Sequence, residues 1–114
     1  LQSHACAAKA GIDMLTRCLA LEWGPEVRVN AIVPGPIEGT EGIARLVTNP
    51  EAERMMLAST PLGRMGDLGD CADAALFLSS PMADNITGAI LPVDGGRTIA
   101  GGSDYGSQPP RRNA

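Results

Sequence analysis

Apolar residues open the chain at helical spacing. At about 100° per residue, Leu1, Ala5, Ala8, Ile12, Leu15, Leu19 and Trp23 fall within one stripe of roughly 80°, with no proline among them. A second apolar patch of Ala7, Ala10, Met14, Cys18 and Leu21 lies about opposite. Polar residues keep only narrow strips, which include Asp13 and Arg17 at i, i+4 spacing. The pattern predicts a long helix over 1–23 with two apolar faces, which asks for two packing partners: a parent sheet, and another helix or a second subunit.

Gly24-Pro25 closes that helix and the period then changes. Val27, Val29, Ala31 and Val33 alternate with Arg28, Asn30 and Ile32, which predicts a strand over 27–33. Pro34-Gly35-Pro36 cannot continue a ladder and ends it. A short helix is expected near Thr40 within 38–47, and Asn49-Pro50 opens another over 51–58 with proline in its first turn. Weak breakers between two short helices make 38–60 read as a mobile flap. After a Gly-rich connection, Asp67 or Gly69 caps a helix through Ser79 in which Cys71, Ala74, Ala75 and Leu78 share a face. Ala89 to Val93 is a short apolar strand stopped by Asp94-Gly95-Gly96. Helix, strand, flap, helix, strand makes 27–93 a βαβ-type unit of an α/β fold with parallel strands. Two strands do not make a stable sheet alone, so the remaining strands are expected to precede Leu1.

Composition narrows the partners. Of 114 residues sixteen are Ala, and only Trp23, Phe77 and Tyr105 are aromatic, so core volume must come from aliphatics. Leu, Ile, Val and Phe together number 24, just above the level at which disorder is suspected, and the net charge of −4 is small for the length. Residues 101–114 (GGSDYGSQPPRRNA) hold almost no aliphatic residue and read as a flexible tail. Thirteen acidic residues against nine basic ones disfavour nucleic acid and anionic membranes as partners. No apolar run approaches the ~20 residues that span a bilayer, which suits the cytoplasm or an organelle matrix. Cysteines at 6, 18 and 71 without CxxC spacing suit reduced thiols, and His4 as the single histidine leaves no four-ligand metal cluster.

Ligands of parallel α/β sheets bind beyond the carboxyl ends of the strands, here Pro34-Gly35-Pro36-Ile37 and Asp94-Gly95-Gly96. The first leads into the flap and is the better candidate. Gly35, Gly39 and Gly42 superficially suggest a phosphate cradle, but Glu38 and Glu41 would repel a pyrophosphate, and the spacing fits neither the dinucleotide nor the P-loop pattern. Taken singly, Lys9 reads as a snorkelling lysine, Asn30 as a structural hydrogen-bonder, His4 as structural or exposed, and Asp94 as part of a turn. No nucleophile with a His partner and no catalytic carboxylate pair stands out.

Read together, the fragments Ala8-Lys9-Ala10, Arg28 to Ile37 (RVNAIVPGPI), Pro61 to Gly66 (PLGRMG), Phe77 to Ser80, Ile86-Thr87-Gly88 and Val93 to Gly96 resemble the C-terminal half of the short-chain dehydrogenase/reductase family over residues 4–97. The resemblance implies that 1–100 is the C-terminal part of a doubly wound parallel-sheet, Rossmann-like domain. By the same resemblance Lys9, the catalytic candidate, binds the nicotinamide ribose hydroxyls. Pro34, Gly35 and Ile37 border the nicotinamide, the Ile37 backbone meeting its carboxamide, and Thr40 helps to hold the cofactor, NADP or NAD. In the usual family spacing that threonine stands one residue nearer the Pro-Gly pair.

Ala5 departs from the family pattern. Most members carry Tyr four residues before the Lys, donating a proton to the substrate oxygen. His4 to Lys9 and Pro34 to Gly42 (PGPIEGTEG) look like the 2,4-dienoyl-CoA reductase branch, which keeps the Lys without that Tyr and reduces a conjugated dienoyl-CoA thioester with NADPH. The alternatives are a catalytically silent assembly subunit and a 3-oxoacyl thioester or alcohol dehydrogenase lacking the Tyr. The adenine-pyrophosphate loop and the upstream catalytic positions are not in these 114 residues, so the parent protein is expected to be the enzyme and the isolated chain to be inactive. A homo-oligomer through the 4–23 helix is expected.

Overall fold

The computed structural model describes residues 3–100; residues 1 and 2 and the tail expected over 101–114 lie outside the described residues. The order is α1 (Ser3–Trp23), β1 (Ala31–Pro34), α2 (Glu41–Leu46), α3 (Pro50–Ala58), α4 (Leu68–Ser79), a 3-10 turn (Pro81–Ala83) and β2 (Ile90–Val93). The chain divides into two compact units, Leu1–Val33 with Ala72–Leu91, and Pro34–Cys71 with Pro92–Ala114. The two strands form one sheet. Ala31 N–H donates to the Ala89 carbonyl at 2.9 Å and Gly35 N–H to the Val93 carbonyl at 3.0 Å. The register advances in the same direction on both strands, so the pair is parallel, as the order of elements predicted. The ladder is shorter than expected: residues 27–30 are extended without strand pairing, and β1 holds four residues.

In the first unit, Asn30 replaces the missing ladder. Its Nδ2 donates to the Ile86 carbonyl at 3.0 Å, and its Oδ1 accepts from the Ala89 N–H at 2.9 Å. Arg28 adds a 3.2 Å bond to the same Ile86 carbonyl, and Gly88 N–H donates to the Val29 carbonyl at 2.7 Å. The structural reading of Asn30 therefore holds.

On α1 the covered side differs from the expected stripe. Thr16 and Ala20 are buried and Ala5, Asp13 and Leu19 half-buried, whereas Ile12, Leu15 and Trp23 are about half exposed or more. Small residues make the contact on the covered side: a Cβ on Gly88 would lie 3.5 Å from the Ala20 Cβ, an ordinary van der Waals distance. Thr16 satisfies its hydroxyl on the Ile12 carbonyl at 2.9 Å. The opposite patch is uncovered, with Met14 55% and Leu21 85% exposed.

The second unit starts where β1 ends. Ile37 and Gly66 form an isolated parallel bridge: Gly66 N–H donates to the Pro36 carbonyl at 2.9 Å and Glu38 N–H to the Gly66 carbonyl at 2.8 Å. Thr40 caps α2 and Asn49 caps α3, with Pro50 in the first turn as expected. At the start of α4, Asp70 N–H donates to Asp67 Oδ1 and Asp67 N–H to Asp70 Oδ2, both at 2.9 Å, a reciprocal capping box that makes Asp67 the cap. Along α4, Cys71, Ala74 and Leu78 are half-buried as predicted, but Ala75 is exposed.

Candidate functional site

The carboxyl ends of β1 and β2 meet in the second unit. A Cβ on Gly35 would lie 2.6 Å from the Asp94 Cα, so only glycine lets the two strand ends approach this closely. Asp94 then closes its own turn, accepting from Gly96 N–H at 2.9 Å, from Thr98 N–H at 2.7 Å and from the Thr98 hydroxyl. The Thr98 hydroxyl, together with those backbone donors, holds the Asp94 carboxyl below the usual carboxylate range against the opposing effect of burial. Asp94 thus has the turn role that its sequence suggested.

Beside these strand ends lies an open cleft of about 950 Å³. Of the five residues that the family resemblance assigns to the cofactor, Pro34, Gly35, Ile37 and Thr40 line it and Lys9 does not. Thr40 Oγ1 donates to the Ile37 carbonyl at 2.8 Å and accepts from Ile43 N–H at 3.4 Å, so the hydroxyl that starts α2 also fixes the wall. Ile37 is buried, and its bridge to Gly66 uses the Pro36 carbonyl and the Glu38 N–H. The Ile37 N–H points to the other side of the extended segment and has no partner among the described residues. An unpaired amide beside a cleft fits a nicotinamide carboxamide, whose oxygen accepts such a bond. Lys9 lies on α1 in the first unit, exposed and without an ion pair among the described residues.

The three glycines of the rejected phosphate cradle have separate local roles. Gly35 packs on Asp94, Gly39 takes a φ of +75° in the turn before Thr40, and Gly42 lies inside α2. His4 is exposed on α1. The three cysteines are free, and no group of three or more metal-ligating side chains occurs among the described residues.

The sequence reading missed Met56, Leu46, Leu68, Cys71 and Arg97, all of which line the cleft. The first four carry no motif and reach the site only through tertiary folding. Arg97 had one available signal, its place directly after Asp94-Gly95-Gly96.

Comparison with known proteins agrees with this fold. The family model described as enoyl-(acyl carrier protein) reductase matches residues 2–98. The (3E)-enoyl-CoA-producing peroxisomal 2,4-dienoyl-CoA reductase of Pongo abelii is 47% identical over 97 residues, which is 84% of this chain and 33% of that protein. The L-tagatose-forming galactitol 2-dehydrogenase of Cereibacter sphaeroides is 49% identical over 98 residues, 85% of this chain and 38% of that protein. Among solved structures, a provisionally assigned 2-deoxy-D-gluconate 3-dehydrogenase of Agrobacterium tumefaciens with bound NADP is 46% identical at a TM-score of 0.75, covering 82% of this chain and 38% of that one. The chain spans between a third and two-fifths of the length of these relatives. Their likeness in sequence and backbone places it in the α/β class as part of a doubly wound, Rossmann-like sheet domain. The family match over 2–98, the parallel strand pair and the cleft at its carboxyl ends together make this chain a member of the short-chain dehydrogenase/reductase family.

Proposed function

We propose that the full-length protein containing this chain is an NADP-dependent oxidoreductase that reduces a conjugated dienoyl-CoA thioester. The observation that carries the reading is Ala5 on α1, one turn before Lys9, where the family pattern has Tyr. Direct carbonyl reduction forms an alkoxide that needs a proton donor at that place. Reduction of a conjugated diene instead spreads charge to the thioester oxygen, several bonds from the carbon that accepts hydride, so donors elsewhere suffice.

In this reading Lys9 holds the nicotinamide ribose, the Ile37 N–H meets the carboxamide, and Pro34, Gly35 and Thr40 shape the wall. The dinucleotide supplies hydride when bound. The segment over 38–60 acts as the substrate-covering flap, the helix over 4–23 carries a homo-oligomer contact, and the protein works in the cytoplasm or an organelle matrix. The residues present fit the cofactor's nicotinamide end only, and the isolated chain is expected to bind NADPH and NADH too weakly to measure.

The galactitol dehydrogenase relative favours a second reading, an alcohol dehydrogenase without the usual Tyr. NADPH consumption by the full-length protein with matched dienoyl and 3-oxoacyl thioesters and with polyols separates the two. Faster turnover of the oxo substrate or the polyol would overturn the dienoyl assignment, and no turnover of any of them would favour a silent subunit.

A further inference from the structure

Among the described residues Arg97 is the one cationic side chain on the cleft wall, and it is half-buried. The Asp94 turn fixes its backbone, with Arg97 N–H donating to the Asp94 carbonyl at 3.2 Å. Its side chain is fixed at one nitrogen: Nη1 donates to the Met56 carbonyl at 3.2 Å and to Ser59 Oγ. Ser59 is itself buried and donates to the same Met56 carbonyl at 2.8 Å, so the acceptors are held in place.

Nη2 and Nε have no acceptor, and Arg97 no ion pair, among the described residues. Asp94, the one acid on the wall among the described residues, directs both oxygens to Gly96 and Thr98. Ile37, Leu46 and Met56 on the same wall are apolar. A guanidinium aligned by two acceptors, with donors left over beside apolar surface, is arranged to take an oxyanion in a charge-assisted bond.

The geometry points to Arg97 as a specificity-determining residue that holds an oxyanion of the substrate, and, resting on the thioester reading above, that oxyanion is a phosphate of the coenzyme A moiety. An uncharged thioester of the same acyl chain lacks the group that Arg97 reads, and a dinucleotide phosphate is the other source of the same chemistry.

Calorimetric titration of the full-length protein with coenzyme A, pantetheine and NADP separates these sources. Arg97→Met is expected to weaken coenzyme A by roughly 10- to 100-fold, the range for one lost charge-assisted contact, while pantetheine and NADP stay about where they were. Arg97→Lys, which keeps the charge, should fall between the wild type and Arg97→Met. If Arg97→Met does not fold, Arg97→Gln is measured in its place with the same expectation. Unchanged coenzyme A affinity, equal weakening of pantetheine, a parallel loss of NADP, or failure of the wild type to bind coenzyme A would each overturn the assignment. A protein that binds coenzyme A in an Arg97-dependent way but reduces no dienoyl thioester removes the proposed reaction and leaves Arg97 in place.

Discussion

Gly35 and Asp94 stand closer than any side chain at position 35 allows: a Cβ there would lie 2.6 Å from the Asp94 Cα and 2.8 Å from its Cβ. Both contacts are with rigid atoms of the main chain or its first branch, so the clash cannot be relieved by swinging a side chain aside. Gly35→Ala is expected to cost about 1–3 kcal/mol of stability by overpacking and to distort the cleft wall. Urea unfolding midpoints of the full-length protein check the first effect, and NADP affinity the second. An alanine variant with the wild-type midpoint would show that the strand ends can separate freely.

Asn30 clamps the turn before β2 with one bond in each direction, to the Ile86 carbonyl and from the Ala89 N–H. Asn30→Leu is close in size but leaves a carbonyl and an N–H in half-buried surroundings without that partner. It should lower stability by about 1–3 kcal/mol, the cost of unsatisfied polar groups, and speed amide exchange at Ala89. Exchange at Ala89 as slow as in the wild type would contradict the clamp.

Acid should loosen the start of α4. Hydrogen bonding from the Arg64 guanidinium, followed by the Asp67 N–H, lowers the Asp70 carboxyl from 3.8 to about 2. A carboxyl lower in the folded than in the unfolded chain stabilises fully above the unfolded value, and that contribution disappears as the pH falls through the folded value. The difference in melting temperature between wild type and Asp70→Asn is therefore expected to be constant from neutral pH to about 5, to shrink below about 4 and to vanish near 2. It will be modest throughout, because the Arg64 side chain is 56% exposed and solvent screens the pair. A difference that grows with acid would refute the sign.

The uncovered α1 face offers Met14 and Leu21 to a partner, and the proposed homo-oligomer uses them together with Ala7 and Cys18. Met14→Arg places a charge in that contact and should shift the full-length protein to a smaller species in sedimentation velocity. A wild-type protein that already sediments as a monomer removes the proposal.

Local signals carried most of the element order. The period-two run before Pro34, the caps at Thr40, Asn49 and Asp67, and the Asp94 turn each depend on neighbours a few positions away, and each lies where the sequence suggested. The covered side of α1 was not legible, because it includes the contact of Ala20 with Gly88, 68 positions later in the chain, and small residues leave little hydrophobic signature. The same holds for the cleft. Pro34, Gly35, Ile37 and Thr40 form one contiguous stretch that a motif can mark, whereas Met56 and Arg97 join it only because the Arg97 side chain reaches the end of α3.

The parallel register also gives the sheet a direction of growth. Residues 89 and 93 face β1, so by alternation Ile90 and Pro92 turn their backbone groups to the outer margin of β2. Proline has no N–H to offer there, which leaves that margin without a donor at its second position. A neighbouring chain laid along β2 would meet a gap in place of a hydrogen bond, so β2 is a natural border strand that resists unwanted edge-to-edge pairing. The margin of β1 still presents the amide and carbonyl of Ile32. Any further strand of the domain therefore has one side on which to dock, beside β1.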